Sequence, residues 1–278
     1  MESINELIKI KDLEKSTNEI CEFIQDEISQ KLQKKGVVFG LSGGIDSAVT
    51  AALCSKSFES EQILGIIMPE KESNRSSRIL AEKVAKKYNF KTKIIDISKI
   101  LESFGVYDLK EKIVKEKFPQ FTSECKYRVV VPPKSKNIIG IPFLEILDEE
   151  NKTHKLKISS SDFLTLTAAT SIKHRVRMTS LYFHGEKNNF SVVGTTNKSE
   201  YQQGYFVKYG DGGSDIEPLV NIYKSQIYQL GKFLKIPKEI LIITMQYHQK
   251  YFPTFDQKGN ITNEFLVVAN NKDIKGFI

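Results

Sequence analysis

The chain of 278 residues has no tryptophan and only three cysteines. Cys21, Cys54 and Cys125 are odd in number, far apart, and form no CxxC pair. That excludes a disulfide framework and a cysteine zinc site. His154, His174, His184 and His248 are not spaced as a ligand set either, so metal binding by histidine is not indicated. No apolar run approaches membrane-spanning length, and the first residues lack the apolar stretch of a signal segment, so the expectation is a cytoplasmic protein. Two common nucleotide signatures are also missing. There is no GxxxxGK followed by Ser or Thr, and no GxGxxG, which sets aside a Walker loop and a Rossmann dinucleotide fingerprint.

What remains is ordinary globular material, with 40% hydrophobic and 27% charged residues and a formal charge of +7. The positive excess suits an anionic ligand. The lysines are scattered and often followed by glutamates, so a dedicated nucleic-acid surface is not expected.

Along the chain, Leu13, Ile20, Phe23, Ile24, Ile28 and Leu32 recur at helical spacing. VVFGL (37–41), ILGIIM (63–68) and TKIIDI (92–97) are short apolar runs separated by helical segments at 45–57 and 75–88. Strands alternating with helices predict an α/β fold, a doubly wound parallel sheet. After residue 105 the rhythm breaks, and YRVVV, IIGIPFLEIL and THKLKIS predict a small β insertion at about 120–160. A long helix over 160–186, capped by Ser161 or Asp162, a buried strand FSVVG (190–194), a Gly-rich loop (205–218) and a helix over 222–235 complete the reading. The expectation is one domain over 1–278, with that insertion and a tail at about 240–278.

The chemistry starts at SGGIDS (42–47), between the first predicted strand and its helix. Glycines there let a ligand approach the backbone. The helix N-terminus offers unpaired N–H groups and a partial positive charge, and Ser42 and Ser47 add hydroxyls. A phosphate fits such a cradle. Asp46 would repel it unless a divalent cation lies between them, and magnesium with substrate phosphates is the usual case.

SGGIDS resembles the pyrophosphate loop of the N-type ATP pyrophosphatases. GTTNKSEYQQGYFVKYGDGGSDIEPLVNIYK (194–224) resembles the NAD synthase family, as does the Arg-containing SIKHRVRM (171–178). The resemblance implies an adenine-nucleotide α-hydrolase-like fold and an ATP-dependent ligase. A carboxylate is adenylated, pyrophosphate leaves, and ammonia then displaces AMP to give an amide. By the same resemblance Gly40, Leu41, Ser42, Gly43, Gly44, Ile45, Asp46 and Ser47 bind the ATP phosphates, and Thr195 and Lys224 contact ATP. Asp46 and Glu200 coordinate magnesium. Asp46, Lys208 and Lys224 carry catalysis, while Arg175, Lys208, Asp211 and Asp215 face a deamido-NAD-like substrate. A homodimer is implied, with ammonia free or supplied by a separate glutaminase.

Departures from the family cluster on the substrate side. Ser171 stands where an asparagine is expected, residues 108–160 are longer and richer in β-structure, and 240–278 lack the family's Pro-Ser/Thr-Ala motif and His-Lys pair. MPEKESN (68–74), GVYDLKEKI (105–113) and KYRVVVPP (126–133) resemble a divergent branch of NAD synthase-like proteins. Two alternatives therefore stand beside the first reading: a ligase amidating another carboxylate, on a sugar or a secondary metabolite, and a nucleotide-binding subunit without turnover.

Overall fold

The computed structural model describes residues 9–130 and 142–243, together with the backbone of 266–269. Its strands are β1 (Gly36–Gly40), β2 (Ile63–Ile67), β3 (Lys91–Ile94), β4 (Lys126–Val130), β5 (Phe143–Leu147), β6 (Thr153–Lys157), β7 (Phe190–Val192) and β8 (Leu266–Ala269). Among its α-helices are α1 (Leu13–Gln25), α2 (Ile45–Ser57), α3 (Arg75–Tyr88), α4 (Ser98–Ser103), α5 (Val106–Lys117), α6 (Ser160–Asn188), α7 (Lys198–Gln203) and α8 (Lys224–Phe233).

The first sheet runs β3-β2-β1-β7, with every pairing parallel. Val37, Val38 and Phe39 of β1 are all fully buried, because helices cover both faces. Val37 and Phe39 join one core with residues of α1, α2, α3 and α8. Val38, with Ile66 and Val192, joins a second core with α4, α5 and α6. That is the doubly wound α/β arrangement, and it is why these strands read as unbroken apolar runs. At the edge, β3 is exposed along its length and carries Lys91 and Lys93, charges that discourage pairing with another chain.

The second sheet runs β6-β5-β4-β8, all antiparallel. The C-terminal strand β8 pairs with β4, so the chain's far end completes the sheet begun at residue 126. This sheet has its own core, in which Val129, Leu144 and Ile146 meet Ile113 and Val114 of α5 and Leu166 of α6. The remainder of 240–278 lies largely outside the described residues.

Two local readings change. The cap of α6 is Ser159, not Ser161 or Asp162: its Oγ accepts from Asp162 N at 3.0 Å, and the Asp162 carboxylate accepts from Ser159 N at 3.2 Å. Of the serines in that run, only Ser159 stands three residues before an acid, the spacing of a capping box. The helix α5 breaks the expected irregular stretch. Its buried residues Val106, Tyr107, Lys110, Ile113 and Val114 follow helical spacing, with a lysine in the stripe that hides the pattern.

Candidate active site

In the sheet order, chain connections leave β1 toward β2 on one side, while β7 lies on the other. The carboxyl ends of β1 and β7 therefore flank a topological switch point, where open α/β sheets bind ligands. Two turns enter that crevice: the one from β1 into α2, and the one from β7 into α7.

The first turn is held by its own hydroxyls. Ser47 Oγ donates to Gly44 O at 3.0 Å and lies 3.0 Å from Ser42 Oγ, which accepts from Gly44 N at 3.2 Å. Gly43 has a φ of +81°, and a Cβ there would sit 2.3 Å from the carbonyl oxygen of Ser77 in α3. Only glycine permits that conformation and that approach. Asp46 follows in the first turn of α2.

The second turn is organised by Asn197, 1% exposed. Its side-chain oxygen accepts from Glu200 N at 3.1 Å, and its backbone N donates to the Glu200 carboxylate at 3.1 Å. Its amide nitrogen donates to Asp46 Oδ1 at 3.2 Å. One residue thus caps α7 and ties it to α2. Lys224, the first residue of α8, forms an ion pair with the other oxygen of Asp46. Asp46, Glu200 and Lys224, far apart in sequence, share one locus. Burial and the neighbouring charge of Asp46 push the Glu200 carboxyl up to about 7, with Lys224 opposing them. For Lys224, burial disfavours the charge, but Asp46 and Glu200 outweigh it and hold the ammonium above its ordinary range.

The residues expected to face the substrate form a separate group. Arg175 Nε donates to the carbonyl of Lys208 at 3.1 Å, and Lys208 Nζ lies 5.0 Å from the centre of the Tyr209 ring. Asp211 accepts from Val207 N at 2.8 Å and pairs with His174 at 3.4 Å. Burial acts to raise the pKa of Asp211, but the His174 contact and the amide bonds prevail and lower it. Asp215 is turned elsewhere, accepting from Tyr182 OH at 2.8 Å, Val192 N at 2.7 Å and Ser191 Oγ at 3.1 Å. Its carboxylate is fully engaged in fastening the loop to β7. Thr195 lies half-buried in the turn after β7.

Sequence reasoning passed over two residues. Asn197 carries a readable signal, since N-x-x-E before a helix is a capping pattern. Glu217 carries none, looking like one loop acid among many. It accepts from Thr196 N at 3.0 Å, Thr196 Oγ1 at 3.2 Å and Ser214 Oγ at 2.6 Å, beneath the turn that holds Thr195. Burial pushes its carboxyl up to about 7 against those bonds. A Cβ on Gly194 would lie 2.3 Å from that carboxyl group. Among the described residues, no three His, Cys, Asp or Glu side chains cluster as metal ligands.

The arrangement offers a cradle of backbone N–H groups, two carboxylates from different helices and a lysine between them. This suits a polyphosphate accompanied by a hard cation. Comparison with known proteins identifies the family. The model of the NAD synthase family matches residues 16–130 and 138–244. A second model, of the glycyl-tRNA synthetase beta subunit, matches only 221–276. An NH3-dependent NAD+ synthetase of Mesorhizobium japonicum is 35% identical over 230 residues, 82% of this chain and 72% of the relative. Among solved structures, the NH3-dependent NAD synthetase of Campylobacter jejuni, in complex with nitrate, superposes with a TM-score of 0.59 at 29% identity, covering 84% of this chain and 78% of that one. The NMN synthetase of Francisella tularensis gives 0.60 at 25% identity, covering 92% and 80%. With a glycine-bearing strand-to-helix turn at the switch point and a family match over most of its length, the chain belongs to the NAD synthase family.

Proposed function

We propose that the chain is an ammonia-dependent ligase that converts deamido-NAD to NAD at the expense of ATP, releasing AMP and pyrophosphate. The observation that carries this is the meeting of Asp46, Glu200 and Lys224 beside the Ser42–Ser47 cradle, in a member of this family.

The Gly40–Ser47 segment and the N-terminus of α2 bind the β- and γ-phosphates, with Thr195 and Lys224 contacting the nucleotide. The substrate carboxylate oxygen attacks the α-phosphorus, and the bond to the pyrophosphate oxygen breaks. Lys224 and Lys208 neutralise charge that builds on the phosphate oxygens. Ammonia then attacks the acyl carbon, the bond to the AMP oxygen breaks, and the amide remains. Arg175, Lys208 and Asp211 orient the acceptor, so positioning supplies much of the rate. Asp215 belongs to the same proposal through the loop it fastens.

Magnesium is part of this reading. Two oxygen-donor carboxylates crowded closely enough to raise Glu200 fit a hard divalent cation. Asp46 and Glu200 would hold it, and when bound it supplies charge neutralisation to the phosphates. A homodimer in the cytoplasm is proposed as well, with ammonia free or from a separate glutaminase. Among the described residues no helix is long and apolar enough to cross a membrane.

The test is incubation with ATP, magnesium, ammonium and deamido-NAD, following AMP and NAD by mass spectrometry. NAD formed one-for-one with AMP is the expected result. AMP release only with another acceptor would transfer the reading to a different carboxylate. That second reading draws on the NMN synthetase neighbour, whose name shows that this fold serves more than one product.

A further inference from the structure

His174, in the SIKHRVRM stretch of α6, has no part in the adenylation chemistry, yet it touches the loop that carries Lys208 and Asp211. Its Nδ1 lies 3.4 Å from Asp211 Oδ1. The same oxygen accepts from Val207 N at 2.8 Å. Burial alone would favour a neutral carboxyl, and the His174 contact with the amide bonds keeps Asp211 ionised. One carboxylate oxygen therefore closes the loop on itself and ties it to α6.

This contact is one of a row. His174, Met178 and Tyr182 stand four residues apart, on a single stripe of the helix. A Cβ on Gly210 would come 2.8 Å from the Cβ of His174, so the loop backbone rests directly against that side chain. Gly213 lies over Met178, whose Cγ would be 3.9 Å from an added Cβ. Tyr182 OH is 2.8 Å from both Gly213 O and Asp215 Oδ1. Arg175, about 100° further around the helix, reaches the Lys208 carbonyl.

What the row leaves unfastened is the Lys208 side chain. Its ammonium lies over the Tyr209 ring and forms no ion pair among the described residues. Its direction follows from the backbone that carries it. Arg175 holds the carbonyl of Lys208 itself, and His174, through Asp211, holds the amide of Val207 just before it. Tyr209, just after it, has a φ of +61°. An aromatic residue keeps that left-handed conformation only where its surroundings impose it, and such strain gathers at functional sites.

We propose that His174 is a positioning residue for the amidation: acting through Asp211, it sets the Val207–Gly213 turn so that the Lys208 ammonium meets the acceptor. The inference rests on the ligase reading, and its test keeps the two apart.

His174→Leu and His174→Asn are compared with wild type, each also in an Asp211→Asn background, with deamido-NAD and ATP varied separately. Leucine fills the space with no polar group. The kcat/KM for deamido-NAD should fall about tenfold, the worth of one hydrogen bond to a charged group, with the KM for ATP unchanged. Asparagine places an amide N–H where Nδ1 stands and should restore most of the loss. In the Asp211→Asn background the partner charge is already gone, so His174→Leu should cost less than twofold more. His174→Ala stands in if the leucine prevents folding. Full acceptor efficiency in His174→Leu, an equal rise in the KM for ATP, or a full tenfold loss on top of Asp211→Asn would overturn the proposal, while NAD formation by wild type keeps the ligase reading. If wild type makes no NAD, that reading fails, and amide exchange of the 205–215 peptide decides the positioning. Exchange that is faster in His174→Leu and like wild type in His174→Asn supports it; equal exchange in all three removes it.

Discussion

Lys224 and Asp46, 178 residues apart, meet as an ion pair between the first turns of two helices. On the proposed function, the pair places an ammonium against a carboxylate that would otherwise repel the bound phosphates. With Lys224→Ala, Asp46 and Glu200 lose their shared cation. Turnover should fall roughly 100- to 1,000-fold, the usual cost of removing one electrostatic stabiliser. Pyrophosphate release under saturating ATP measures it. A loss below threefold would show that Lys224 only braces the fold.

Asp46→Asn separates cation binding from folding. The amide keeps the size of the side chain and can still bond Asn197, and Glu200 remains beside Lys224, so the fold should survive although the lost ion pair lowers the melting temperature. Magnesium-dependent pyrophosphate release should vanish. Turnover at the wild-type rate would remove Asp46 from the metal assignment.

The strand, turn and helix around SGGIDS were legible because their signal is local. SGGIDS lies between a strand and a helix, and a doubly wound sheet puts every such turn at one edge. The pairing of Asp46 with Asn197 was less so, because it joins first turns of helices from opposite sides of the switch point. The α5 helix was obscured by Lys110 in its buried stripe, whose charge is satisfied by Glu72 only in the folded chain. The link between β4 and β8 was illegible, since strand pairing across more than a hundred residues leaves no local trace. Glu217 and Asp215 read as members of one Gly-rich loop. Yet the first is buried beneath the Thr196 turn, and the second, an expected substrate contact, is bonded to β7.

Gly43→Ala tests the cradle's backbone. Its positive φ disfavours any side chain, and the added Cβ would meet the Ser77 carbonyl. The expected destabilisation is about 1–3 kcal/mol, with a raised KM for ATP because the turn must shift away from α3. Urea denaturation measures the first and steady-state kinetics the second. A stable variant with unchanged ATP affinity would mean that the turn binds no phosphate.

Arg175→Ala addresses the acceptor. Its guanidinium braces the Lys208 carbonyl and stands beside the Asp211 loop. The acceptor KM should rise roughly tenfold with the KM for ATP unchanged, as expected for lost substrate binding. An equal loss of ATP affinity would contradict the division of the site into two sides.

The buried carboxyl of Glu217 makes a prediction about pH. Its pKa in the folded chain is about 7, against an ordinary value of 4.5. Between those values the folded chain keeps a proton that the unfolded chain has released. Stability should therefore fall as pH rises through that window, by at most about 1.4 kcal/mol per pH unit for one proton. Glu200, raised to about 7 by burial and Asp46, acts in the same direction. Glu217→Gln keeps a neutral group under the Thr196 turn at every pH. Its urea-unfolding free energy should decline less steeply than that of wild type between pH 5 and 7, and the two curves should draw closest near pH 5. Parallel curves across that range would mean that Glu217 is ionised in the folded chain. The turn after β7 would then rest on a buried anion rather than on a shared proton.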